Sequence, residues 1–313
     1  MIEIIKNKTD IKFTSMFSVT TVISILLVIT SLYLLFTKMQ YGVDFRGGAE
    51  VQVKFSNTVS VADIRRSLSG AEFNGASVQT IGDASDNEVL IKVQAKEGEL
   101  NKIEAMVEKS LVKTFGADGL EVRKVDIVGP KAGAELRVSG FQAMGYALLA
   151  IMIYIGLRFD FKYSPGAIGA LFHDVSIILG IFALTGTEFT LQTVAALLAV
   201  IGYSVNDTVI VYDRVRENEN NMPGKSLAVQ IDKSINETLS RTVLTSGTTL
   251  FISFAMFIFG GEAIKSFFFA ISLGVLVGTY SSIFVAAPIT LLFDKLFGEQ
   301  KKASSVTEKV GQN

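Results

Sequence analysis

The chain has 313 residues, 49% of them hydrophobic and 19% charged, with a net charge of −1. It has no cysteine and one histidine, His173, which excludes disulfides, a cysteine nucleophile and a multi-histidine metal site. The balanced charge supplies no global field for nucleic acid, and the charged share falls below the quarter or so usual in soluble domains.

Lys6, Lys8 and Lys12 precede the apolar run Phe13–Phe36. A helix crosses a bilayer core in about 20 apolar residues. The run meets that length, exceeds a signal-peptide core and is followed by no small-x-small cleavage site. It reads as a retained anchor helix. Five more spans are predicted at Val138–Leu157, Ala167–Leu184, Leu191–Val211, Val243–Phe259 and Phe267–Phe293. Pro288 predicts a kink or tilt in the last.

Between the first two spans lies a segment that reads as a small domain. Ala49–Phe55 alternates as a strand, and Val59–Leu68 is a helix with Ser60 as cap and Asp63 in its first turn. Ala76–Ile81 and Val89–Gln94 are strands on either side of the turn-rich Gly82–Asn87. Glu97–Phe115 is an amphipathic helix, and Leu120–Val128 is a last strand. The order β-α-β-β-α-β is ferredoxin-like, a fold that hosts many functions. Gly42–Gly48, G-V-D-F-R-G-G, has no strand before it or helix after it, so it shapes a turn rather than a phosphate loop. Gly129–Leu136, G-P-K-A-G-A-E-L, reads as a hinge-like return into the membrane.

The expected fold class is a polytopic α-helical membrane protein with six transmembrane helices and an extracytoplasmic α+β domain. Its divisions are an N-terminus and first helix (1–37), the outer domain (38–135), a five-helix bundle (136–297) and a polar tail (298–313). Basic residues of the short loops set the orientation. Arg158, Lys162, Arg214, Arg216, Lys225, Lys233 and Lys295 share one side with the N-terminus, whereas the loops near Thr185–Thr190 and Gly260–Lys265 carry only Lys265. Both termini are therefore expected in the cytoplasm.

Polar residues inside the spans are costly and face the bundle interior or water. The third span carries His173 and Asp174, and the fourth carries Tyr203, Ser204, Asn206 and Asp207. The fifth begins at Arg241 and continues with Thr245, Ser246, Thr248 and Thr249. At about 1.5 Å per residue, His173 lies roughly 12 Å along its span and Asp207 about 9 Å from the end of its own. Asp207 and Arg241 thus share the cytoplasmic half. Tyr203 with Asp207, and Arg241 with Thr245 and Thr249, each form an i, i+4 stripe. A carboxylate in lipid holds or releases its proton according to how near a cation sits, and arginine stays charged. Asp207 and Arg241 are therefore either a proton or cation relay or a structural ion pair, and physical reasoning leaves the two level. His173, Asp174, Tyr203, Asn206 and Thr245 are supporting polar residues. Asp213, Arg214, Arg216 and Glu217 read as an interfacial anchor, and Ser226–Ser240 as an amphipathic helix on the surface or leading into the fifth span. No phosphate loop, H-E-x-x-H or nucleophile elbow occurs, which argues against an enzyme and leaves an ion gradient or a partner to supply energy. No cofactor is called for.

Six stretches taken together resemble one family. They are G-V-D-F-R-G-G at Gly42–Gly48, V-G-P-K-A-G-A-E-L at Val128–Leu136, R-F-D at Arg158–Asp160, H-D at His173–Asp174, Y-S-V-N-D-T-V-I-V-Y-D-R-V-R-E-N at Tyr203–Asn218 and S-I-N-E-T-L-S-R-T-V-L-T-S at Ser234–Ser246. The chain resembles the SecF members of the SecD/SecF family of Sec protein translocase subunits, in the resistance-nodulation-division superfamily. That resemblance implies a multi-pass protein of the bacterial inner membrane, paired with a separate SecD. It implies that the complex promotes preprotein export from the SecYEG channel after SecA has driven entry, using the proton motive force. It also implies proton movement at Asp207 and Arg241. Two other readings remain: a small-molecule exporter of the same superfamily, and a structural membrane scaffold.

Overall fold

The computed structural model describes residues 9–69, 73, 76–81, 86–94, 100–159 and 162–297. The polar tail, Lys6, Lys8, Asp160 and most of the Gly82–Asn87 turn lie outside the described residues.

Among the described residues, six helices are long and apolar enough to cross a membrane. The first, α1 (Phe17–Lys38), continues a short 3-10 turn, Phe13–Met16. After the small domain come α5 (Pro130–Arg158), α6 (Ser164–Thr185), α7 (Leu191–Asn221), α8 (Leu227–Phe259) and α9 (Glu262–Ser281). A π-helical turn at Ser282–Ala286 follows α9 directly, and helix resumes to residue 297. Pro288 sits just beyond this turn. A proline has no N–H to give the carbonyl four residues back, and one wide turn accommodates that loss. The distortion expected from Pro288 thus takes the form of a π-bulge. Apolar side chains of α1, α5 and α8, among them Val19, Leu26, Phe251 and Phe259, remain exposed. Hydrocarbon, not water, suits such a belt.

The small domain contains α2 (Val43–Arg46), α3 (Val61–Ser67), α4 (Leu100–Phe115) and β1 to β4 at Gly48–Phe55, Ser77–Ile81, Glu88–Val93 and Leu120–Val128. Strand order is β2-β3-β1-β4, with every neighbouring pair antiparallel. This is the ferredoxin-like arrangement. Alternate residues of β1 (Ala49, Val51, Val53, Phe55) and β3 (Val89, Ile91, Val93) pack against Ile64 of α3 and Ile103, Val107 and Leu111 of α4. The Ser60 hydroxyl caps α3 by accepting from Ala62 N at 3.1 Å.

Tight contacts fix the domain to one end of the bundle, beside the turn between α6 and α7. Gly42 N donates to Phe189 O at 2.9 Å, and Phe189 N donates to Gln40 O at 2.7 Å. Asp44 Oδ2 accepts from Leu191 N at 2.9 Å, placing a carboxylate on the α7 N-terminus. Lys92 on β3 reaches Glu188 at 2.7 Å and Glu50 at 3.3 Å. The double glycine has a steric role here. Gly47 adopts φ +79°, and a Cβ on it would lie 2.6 Å from Pro130 Cα. The hinge expected at Gly129–Leu136 is instead the first turns of α5, with Pro130 in the first helical turn, where a missing N–H costs nothing.

The opposite end of the bundle is tied by polar contacts. Arg158 pairs with Asp213 and Lys162 with Glu219. Arg214 bonds Glu217 and Glu237, so the expected anchor residues also clamp α7 to α8. The stretch Ser226–Ser240 leads into the fifth span as the start of α8, with Leu227, Ile231 and Ile235 packed in the bundle core.

Candidate functional site

Close helix approach creates the site. Gly274 and Gly278 of α9 are four apart on one face. A Cβ on Gly274 would meet Val200 at 2.2 Å, and one on Gly278 would meet the Ser204 side chain at 3.1 Å. Two glycines at this spacing let α9 lie against α7. One turn beyond Gly278, that closeness brings Ser281 and Ser282 to the carboxylates of α6 and α7.

Asp207 is 4% exposed. Its Oδ1 accepts from Thr242 Oγ1 of α8 at 2.9 Å, and its Oδ2 accepts from Ser282 Oγ at 2.6 Å. Asp174, 1% exposed, has the same kind of shell. Its Oδ2 accepts from Ser204 Oγ at 2.6 Å and from Ser281 Oγ at 2.8 Å. Its Oδ1 lies 2.9 Å from His173 Nδ1. The His173 ring stacks on Tyr280 with centroids 5.8 Å apart. Two buried carboxylates on neighbouring helices are thus held by hydroxyls, and one carries an imidazole as well. Hydroxyls satisfy a buried carboxylate without neutralising it, so the charge stays sensitive to a proton or a moving cation.

Arg241 is exposed, and among the described residues no ion pair within 4.0 Å joins it to Asp207. It sits one residue before Thr242, whose hydroxyl holds Asp207. Tyr203 is half-buried and donates to Ser246 Oγ at 3.1 Å, which also accepts from Thr279 Oγ1 at 2.7 Å. Asn206 and Thr245 are exposed, and the Thr245 hydroxyl turns back to Arg241 O at 3.0 Å. Of the residues singled out from sequence, the fold gathers Asp207, Asp174 and His173 in its interior. Arg241, Asn206 and Thr245 lie on an outer face of α7 and α8.

Sequence reasoning missed Thr242, Thr279, Tyr280, Ser281 and Ser282. Thr242 lies one position off the Arg241–Thr245 stripe. The others form T-Y-S-S inside the sixth apolar run, and four consecutive hydroxyl side chains in a span were the available signal.

A buried carboxylate cluster in a six-span bundle, topped by a ferredoxin-like domain, defines a polytopic integral membrane protein with ionisable groups in its interior. Residues 107–296 match the family model described as protein export membrane protein SecD/SecF, C-terminal, and residues 33–59 match the SecD/SecF GG motif. The chain is 40% identical over 290 residues to "Protein translocase subunit SecF" of Rickettsia prowazekii, covering 92% of this chain and 93% of that one. It is 38% identical over 299 residues to the protein of that name from Calditerrivibrio nitroreducens, covering 94% and 98%. The crystal structure of SecDF, a translocon-associated membrane protein from Thermus thermophilus, superimposes with a TM-score of 0.81 at 32% identity, over 93% of this chain. The present chain spans 40% of that longer one. The chain belongs to the SecF family of Sec protein translocase subunits.

Proposed function

We propose that the chain acts with SecD, using the proton motive force to promote preprotein export on the extracytoplasmic side of the bacterial inner membrane. Preproteins would arrive through SecYEG after SecA-driven entry. In this reading Asp207 is the proton-carrying group and Arg241 is the cation that tunes it. The observation that carries it is the Asp207 shell: a buried carboxylate held by two hydroxyls from two other segments, with a nearby arginine that makes no ion pair with it. A structural ion pair would sit closed, with one partner against the other. An arginine free to approach or withdraw changes how tightly the carboxylate holds its proton, which couples protonation to helix movement. The basic residues Arg158, Lys162, Arg214, Lys225 and Lys233 gather at the domain-distal end, which supports cytoplasmic termini and an extracytoplasmic domain.

The test is proton flux and preprotein export in proteoliposomes carrying this chain, SecD, SecYEG and SecA, with Asp207→Asn as the variant. The reading expects assembly to persist while flux and the gradient-dependent part of export are lost. Wild-type flux in Asp207→Asn would overturn it.

A further inference from the structure

We propose that His173–Asp174 is a second proton-holding station, linked to Asp207 through the adjacent serines Ser281 and Ser282. The proposal rests on the proton-coupled reading of Asp207 and adds a group to it.

Three observations carry it. First, the pair is buried: His173 is 2% exposed and Asp174 1%. When Asp174 is ionised its carboxylate only accepts, and the 2.9 Å contact is then His173 Nδ1–H donating to Asp174 Oδ1. Second, that tautomer leaves Nε2 as a bare acceptor, and this buried atom has no hydrogen-bond partner among the described residues. Buried polar atoms of this kind are uncommon and call for an explanation. Third, the two carboxylates are bridged along the backbone. Ser281 donates to Asp174 and Ser282 to Asp207, and Ser282 opens the π-turn. Single π-turns recur at functional sites.

The proton accounting is simple. A proton arriving at Nε2 makes the imidazolium. Its Nδ1 proton can pass to Asp174 Oδ1, leaving a neutral carboxylic acid and a neutral imidazole protonated at Nε2. The neutral acid no longer offers Ser204 and Ser281 charge-assisted bonds, which are roughly twice as strong as neutral ones. The Ser281 bond weakens, which frees the next residue, Ser282, to shift at Asp207. Protonation at one carboxylate thus alters the hydrogen bonding of the other.

Few other groups face the pair. From α1 come Thr20 and Ser24, which do not titrate, and Ser24 bonds the Tyr280 hydroxyl at 2.9 Å. From α9 comes Tyr280 itself. From α7 come Ser204 and, one turn on, Asp207, beyond which α8 carries Arg241.

The experiment measures proton flux against pH in proteoliposomes of the chain with SecD, comparing wild type with Asp174→Asn, His173→Gln and Ser281→Ala. Wild type is expected to show two titrating steps, and Asp174→Asn and His173→Gln one, with maximal flux down about tenfold or more. Ser281→Ala keeps both groups but is expected to separate the steps, because the link is cut. Co-purification of SecD monitors assembly. An unchanged pH profile in His173→Gln and Ser281→Ala overturns the proposal, even where Asp174→Asn fails to assemble. Asp207→Asn is run alongside. Lost flux there with unaltered His173→Gln and Ser281→Ala profiles refutes only the second station, whereas retained flux there refutes the underlying reading.

Discussion

Ser281 and Ser282 are consecutive, yet they donate to carboxylates on different helices, at 2.8 Å to Asp174 and 2.6 Å to Asp207. In a regular helix neighbouring side chains diverge by about 100°. That divergence lets one dipeptide serve both α6 and α7, and the π-turn starting at Ser282 adjusts the second serine to its acceptor.

Thr242→Val tests the other half of the Asp207 shell. Valine keeps the shape and removes the donor at 2.9 Å, leaving Asp207 with Ser282 alone. Interhelical hydrogen bonds in membranes are worth about 0.6–2 kcal/mol. A loss in that range is expected from steric-trap unfolding in bicelles, and Thr242→Ser should restore it.

Gly274→Ala probes the closeness of α7 and α9. The added methyl would sit 2.2 Å from Val200 Cγ2, with both helix backbones fixed. Overpacking of this sort costs about 1–3 kcal/mol. Val200→Ala should relieve much of it, so the double variant is expected to be more stable than Gly274→Ala alone by the same unfolding measurement.

Much of this architecture was legible in residue patterns. Period-two alternation in Ala49–Phe55 and the Ser60 cap located β1 and α3 within two residues, because a sheet packed on one face and a capped helix both write themselves locally. The spans were legible because lipid demands long apolar runs. Asp207 and Asp174 stood out because a charge in such a run is rare. What sequence could not give was the hydroxyl shell. The T-Y-S-S run marks Ser281 and Ser282 as polar, but which carboxylates they hold shows only once Gly274 and Gly278 bring α9 against α7. Nor could spacing decide that Arg241 points away while its neighbour Thr242 points in. On a helix one position turns the side chain by about 100°. The rigid start of α5 was missed for a similar reason: Gly133 lies in a stretch that reads as a hinge, yet a Cβ on it would lie 3.0 Å from Gly47 N.

Lys92→Met is expected to loosen the seam between domain and bundle. Burial works against the Lys92 ammonium, but the hydrogen bond and charge of Glu188, with Glu50 behind it, outweigh that and hold its pKa above the ordinary lysine value. A raised lysine pKa means the stabilisation is fully present below the ordinary value and fades only as pH rises through the raised one. Docking should therefore be flat with pH across the neutral range, and the charge must be removed by mutation. With two carboxylates left half-buried, the cost is about 2 kcal/mol. Hydrogen exchange of the Gly42 and Phe189 amides, which bond across the seam, should quicken by about thirtyfold.

Arg241→Gln separates a tuning cation from a structural one. Removing one partner of a closed, buried ion pair costs about 3–5 kcal/mol, because the other charge is stranded. Arg241 has no such contact with Asp207, and its side chain lies on the exposed face of α8. Asp207 keeps both hydroxyl donors when Arg241 is replaced. The unfolding free energy of the isolated chain is therefore expected to change by no more than about 0.5 kcal/mol, as for other exposed substitutions. Under the proposed coupling, the same variant with SecD in proteoliposomes should lose proton flux. Stability loss of several kcal/mol would instead mean that the arginine closes on Asp207 in the resting protein, and the hydroxyl shell would then be a secondary support.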